Sequence, residues 1–102
     1  MNKQEIYQEA ADAAQSIRED IIAGDYAPGD LQGTIYDRCA FEADRLCIYN
    51  YYNRCVVRML EDEGIEDDYM ELVDPSESRE EQNVAIAYSF WLNAIYDEVN
   101  KL

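Results

Sequence analysis

At 102 residues with 48 % hydrophobic content, the chain suits one domain with a real but modest core. Eight Lys and Arg against 23 Asp and Glu leave a net charge of −15, with no histidine. Such a balance repels nucleic acid and anionic membranes, draws basic surfaces at long range, and removes the commonest catalytic base and metal ligand. Nine Tyr, two Phe and one Trp argue against disorder. Halophilic adaptation or plain solubility stays open as an account of the charge.

Met1-Asn2-Lys3-Gln4-Glu5 runs straight into an amphipathic pattern with no apolar h-region behind it, so no secretory signal is expected and the protein is read as cytoplasmic. Residues 4–23 read as a helix. Ile6, Ala10, Ala13, Ala14, Ile17 and Ile21 share one face, and Glu5, Glu9, Asp12, Glu19 and Asp20 cluster opposite. Gly24 fits the helix end, and 25–29, with Pro28 and Gly29, reads as a turn. Asp30 is placed to cap a second helix carrying Leu31, Ile35, Cys39 and Leu46 on one side. Asp30, Asp37 and Asp44 recur every seven residues and so drift only about 20° per step, forming a second acidic stripe. Phe41 falls near that stripe, so either the helix breaks there or Phe41 meets something outside the monomer.

Residues 46–60 are rich in Tyr, Cys, Ile and Val and by propensity alone could form a strand. Asn50, Asn53, Arg54 and Arg58 nevertheless fall within one arc of a helical wheel, which favours a helix central to the core, to a subunit contact, or to both. The same polar residues make the run too short and too polar to span a bilayer. Residues 61–74 form an acidic connector around Gly64, anchored by Ile65, Tyr69, Met70, Leu72 and Val73 and closed by Pro75. Ser76 or Ser78 opens the last helix, with Ser78 and Glu81 spaced as a capping box. Val84, Tyr88, Trp91, Ile95, Val99 and Leu102 form its apolar stripe. The expected fold is all-α, a single-domain bundle of about four helices over residues 1–102.

Catalytic chemistry has no visible seat. No phosphate loop, dinucleotide fingerprint or nucleophile elbow occurs. An EF-hand read from Asp62 puts Gly64 at position three and Asp67 at position six, where acid and glycine are required in turn. Cys39, Cys47 and Cys55 are eight residues apart, about 12 Å along a helix and too far for a disulfide, and they lack the partners of a zinc site. They read as small buried residues in a reducing compartment. No enzyme activity, metal or cofactor is expected.

The acids carry the function. Like charges one helical turn apart cost a few tenths of a kcal/mol per pair, and a chain shaped only for stability would interleave bases. The five acids of the first helix have no base within their arc, and 61–81 holds eleven acids and only Arg79. A dimer of this chain would carry about as much charge as 15 base pairs, roughly 50 Å of duplex.

The order of features resembles the phage antirestriction DNA-mimic family of Ocr. An acidic first helix precedes Asp30-Leu31. Ala43-Asp44, Tyr51-Tyr52 and the Glu63-Gly64-Ile65 turn come next, then an acidic loop closed by Pro75, and a long last helix bearing Ala87-Tyr88 and Trp91. The similarity runs over residues 5–99. It implies an all-α homodimer shaped and charged like bent B-form DNA, filling the DNA groove of type I restriction–modification enzymes in the host cytoplasm. The phosphate-mimicking role carries over to Glu5, Glu9, Asp12, Glu19, Asp20, Asp25, Asp30, Asp37, Asp44, Glu61, Asp62, Glu63, Glu66, Asp67, Asp68 and Glu71. The chain departs from the family in closing on Asn100-Lys101-Leu102 without a very acidic tail. It also keeps Arg38, Arg45, Arg54 and Arg58 in its middle.

The expected partner is therefore a host DNA-binding defence protein, with neither nucleic acid nor membrane bound. An anti-CRISPR or other protein inhibitor acting by shape-specific contacts, with hot spots at aromatics such as Phe41 or Tyr26, is the alternative. Because 46–60 is more apolar than a lone domain needs, Tyr49, Tyr52, Val56, Met59 and Leu60 are the candidates for a twofold dimer contact. An ordinary place in the core is the competing account of each.

Overall fold

A computed structural model describes residues 1–24 and 29–101, with only the backbone at residues 71 and 72. Four α-helices, α1 (Lys3–Ile22), α2 (Leu31–Cys47), α3 (Asn50–Glu63) and α4 (Arg79–Val99), are joined by one 3₁₀ segment, Glu66–Leu72, between α3 and α4. There is no strand among the described residues, so the helical reading of 46–60 holds over the strand reading. No helix among them is long and apolar enough to cross a membrane.

Local chemistry sets the helix ends. Asn2 Oδ1 accepts from the Glu5 N–H at 2.9 Å, and the Asn2 N–H donates back to Glu5 Oε1 at 3.2 Å, a complete capping box. Gly24 (φ 79°) turns the chain out of α1 through the left-handed region. Asp30 stands at the start of α2, but its carboxylate does not cap. It lies over Gly33, where the missing side chain leaves room, and the Asp30 carbonyl instead accepts from the Thr34 hydroxyl at 2.9 Å. Gly64 (φ 71°) ends α3, with the Ile65 N–H reaching back to the Leu60 carbonyl at 3.0 Å. Ser78 caps α4 by accepting from the Glu81 N–H at 3.2 Å. Only that half of the expected capping box forms.

The apolar face of α1 is buried as its spacing predicts, through Ile6, Ala10, Ala13, Ala14 and Ile17. The central element is α4, not 46–60: it packs against α1, α2, α3 and the 3₁₀ segment. A helix enclosed on several sides buries more than one stripe. Ile86, Ala87 and Phe90 are therefore buried beside Trp91, Ile95 and Val99, while Tyr88 is half-buried and Val84, expected on the apolar stripe, is exposed. Phe90 gathers an aromatic cluster, meeting Trp91 at 5.3 Å, Tyr7 of α1 at 5.6 Å and Tyr69 of the 3₁₀ segment at 6.1 Å between ring centroids. Tyr69 thereby docks the acidic connector on the core.

The expected single helix over 46–60 is interrupted. Helix α2 stops at Cys47, and Tyr49 is extended (ψ 103°) before α3 begins. The cause is Asn53, read above as part of a polar arc but in fact buried. Its Nδ2 donates to the Cys47 carbonyl at 2.9 Å, clasping the end of α2 from the second turn of α3. Asn53→Ala strips a buried carbonyl of its donor and is expected to cost about 1–3 kcal/mol, read as a lower urea midpoint. A loss below about 0.5 kcal/mol would show the corner holding without the clasp.

Candidate partner-binding surface

On the outer face of α1, Glu5, Glu9, Asp12 and Glu19 have no base within ion-pair distance among the described residues. Successive members are separated by rises of about 6, 4.5 and 10.5 Å along the helix. Neutral amides steady two of them: Gln8 donates to Asp12 at 2.8 Å and Gln15 to Glu19 at 3.4 Å. Such donors orient a carboxylate and leave its charge intact. Glu9 is half-buried, and Glu5 also serves the α1 capping box. Asp20 departs from expectation, because Arg38 of α2 pairs with it across the helix boundary.

That pairing shapes the second stripe. Arg38 is drawn to Asp20, and Arg45 to the nearly buried Glu42 at 2.7 Å. Neither arginine covers Asp37 or Asp44, and both acids stay exposed beside Asp30. In the connector, Glu61 is paired with Arg79 at 3.0 Å, and Glu63 with Lys3. Asp62, Glu66, Asp67 and Asp68 have no such partner among the described residues. The last three occupy the first turn of the 3₁₀ segment, where negative charge also suits the helix end. The Lys3–Glu63 pair brings the connector's start against the first turn of α1. Asp25, Tyr26 and Leu102 lie outside the described residues, as do the side chains of Glu71 and Leu72.

Reading by stripes overlooked the acids that open α4. Asp74 accepts from the Ser76 N–H at 2.9 Å and its hydroxyl at 2.7 Å, and these bonds hold its carboxyl below the usual range. Glu77 is pushed up by a hydrogen bond with the Glu81 carboxyl and by the neighbouring negative charge. The sequence counts both acids in the 61–81 run, without placing either on a stripe.

The proposed dimer residues divide. Val56, Met59 and Leu60 are buried in the chain's own core, the ordinary place that competes with a twofold contact for each. Helix α3, which carries all three, packs on α4, α2 and the 3₁₀ segment. Tyr49 is exposed and Tyr52 half-buried, with ring centroids 5.2 Å apart. Helix α2 is continuous through Phe41, which is 63 % exposed; Ile48, seven residues on, is 70 % exposed.

Cys39 and Cys47 are buried free thiols, and Cys55 is half-buried. Among the described residues no group of three or more His, Cys, Asp or Glu is arranged to hold a metal ion. No protein-family model, curated protein or solved structure matches the chain.

Proposed function

We propose that the protein inhibits a DNA-binding enzyme by presenting carboxylates where that enzyme expects phosphates. One observation carries this reading: Lys3, Arg38, Arg45 and Arg79 pair with Glu63, Asp20, Glu42 and Glu61, and Glu9, Asp12, Glu19, Asp37, Asp44, Asp62, Glu66, Asp67 and Asp68 keep no ion pair among the described residues. Spread over the 41 Å long axis, the net charge of −15 amounts to about one charge per 2.7 Å, against about 1.7 Å for duplex DNA. A single chain thus approaches the duplex in linear charge without matching it, and a homodimer would lengthen the charged track. The likeness to the antirestriction family makes a type I restriction–modification enzyme of the host the first target to test.

The test is competition. The protein is titrated into such an enzyme holding labelled duplex, at about 50 and about 200 mM salt. Displacement that fades by more than tenfold across that range supports the proposal. A triple variant, Glu9→Gln/Asp12→Asn/Glu19→Gln, spares the Glu5 capping box. It is expected to weaken displacement at low salt and to flatten the slope of log affinity against log salt by at least about one unit. Displacement indifferent to both salt and these acids would sink the reading.

A second reading has its own observation in the exposed Phe41 and Ile48. An inhibitor of a CRISPR complex or similar target would dock through them by shape. Phe41→Ala should then cost about 2 kcal/mol of binding, with single acid replacements nearly silent.

A further inference from the structure

Three of the chain's eight bases converge on one place. Arg54 and Arg58, one turn apart on α3, and Arg79, the first residue of α4, line a cleft of about 430 Å³ together with Val57, Glu61 and Asn83. Asp62 also lines this cleft, and with Arg58 it lines the neighbouring one.

The guanidinium groups are only lightly committed. Arg79 meets Glu61 at 3.0 Å and Arg54 meets Glu80 at 3.7 Å, and each of these bases is about 60 % exposed. Exposed pairs of this kind contribute little, so a better acceptor can draw the guanidinium away at small cost. Arg58 has no ion-pair partner among the described residues.

The cleft floor adds an independent sign. Asn83 is 7 % exposed, lines the cleft, and its Oδ1 has no hydrogen-bond partner among the described residues. A buried amide lacking a partner is costly. The buried Oδ1 is an acceptor that an anion cannot satisfy, so what the amide offers the cleft is its Nδ2 donor, which has no acceptor among the described residues. It is a neutral donor beneath three charged ones.

We infer that this cleft is a binding site for a small tetrahedral oxyanion of the phosphate class, held by Arg54, Arg58 and Arg79 with the Asn83 amide at its floor. Guanidinium forks match such oxygens in pairs, and the charge-assisted bonds are stronger than neutral ones. The strongly negative field of the remaining chain works against any anion, so the affinity is expected in the millimolar range. The site shares Glu61 and Asp62 with the acidic connector, but uptake of a small anion is a separate property, and its failure leaves the proposed function standing.

The test follows backbone amide and arginine Nε–H signals by NMR as inorganic phosphate is added to the full chain. Ionic strength is held constant with chloride, which removes simple screening as a cause. Saturable shifts confined to Arg54, Arg58, Arg79, Asn83 and their neighbours are expected with phosphate and absent with chloride alone. Arg58→Gln alters an exposed side chain without an ion pair and should leave the spectrum otherwise intact, while weakening phosphate binding about fivefold. Lys101→Gln, remote from the cleft, should change nothing. Shifts that fail to saturate, that spread over the surface, or that persist unchanged in Arg58→Gln overturn the inference.

Discussion

Trp91→Ala is expected to cost about 3–5 kcal/mol, the range for emptying a large buried aromatic site. Trp91 is fully buried on α4, the helix every other element packs against, and it stacks edge-on to Phe90. Small domains are stable by only about 5–15 kcal/mol, so the loss consumes much of the total. Self-repulsion among the acids narrows the margin further at low salt. Added salt screens that repulsion within about 10 Å at 0.1 M and should recover part of the variant's helical circular dichroism. Trp91→Phe separates volume from polarity. The indole Nε1 is buried without a partner among the described residues, so losing that N–H offsets part of the lost packing, and the cost should fall below about 2 kcal/mol. Ile48→Ala, at an exposed site, should stay within about 0.5 kcal/mol of wild type. A Trp91→Ala cost no larger than that control would contradict the central place of α4.

What could be read ahead of the structure was whatever depends on residues close in sequence. The apolar face of α1, the helix end at Gly24 and the Ser78 cap are local, and each appears where the spacing puts it. The break at Ile48–Tyr49 was hidden because its cause is a polar side chain turned inward. Nothing local distinguishes an Asn53 that clasps a carbonyl from one that faces water. The stripe on α4 was drawn too narrow for the same reason. Periodicity finds one apolar face, whereas a central helix is enclosed on several, and Phe90 and Ile86 become core only when α1, α3 and the 3₁₀ segment arrive. At the surface, the acids were legible as acids, but their compensation was not. Asp20 and Arg38 are 18 residues apart on different helices, and only packing shows that this pair leaves Asp37 open. The convergence of Arg54, Arg58 and Arg79 likewise needs α3 and α4 side by side.

Raising the pH from 8 to 10.5 is expected to remove about 2–4 kcal/mol of stability through two thiols. Burial, with a smaller push from Glu42, raises the Cys39 thiol from 9.0 to about 11, and burial with Asp44 raises Cys47 to about 12. Below the unfolded value both states keep these protons and the thiols contribute no pH dependence. Above it the unfolded chain releases them while the folded chain holds them, so unfolding gains by about 1.4 kcal/mol per pH unit per thiol. The loss continues until the folded values are reached. Tyr69 and Tyr88, both raised chiefly by burial, act in the same direction. Urea midpoints at the two pH values measure the slope, and Cys39→Ala or Cys47→Ala should each remove a comparable part of it. The same burial predicts that iodoacetamide at pH 8 modifies the half-exposed Cys55 first, with Cys39 and Cys47 protected until the chain opens. If both variants keep the wild-type slope, the alkaline weakness arises in other groups. If all three thiols react together under native conditions, α2 opens far more readily than its packing on α4 allows.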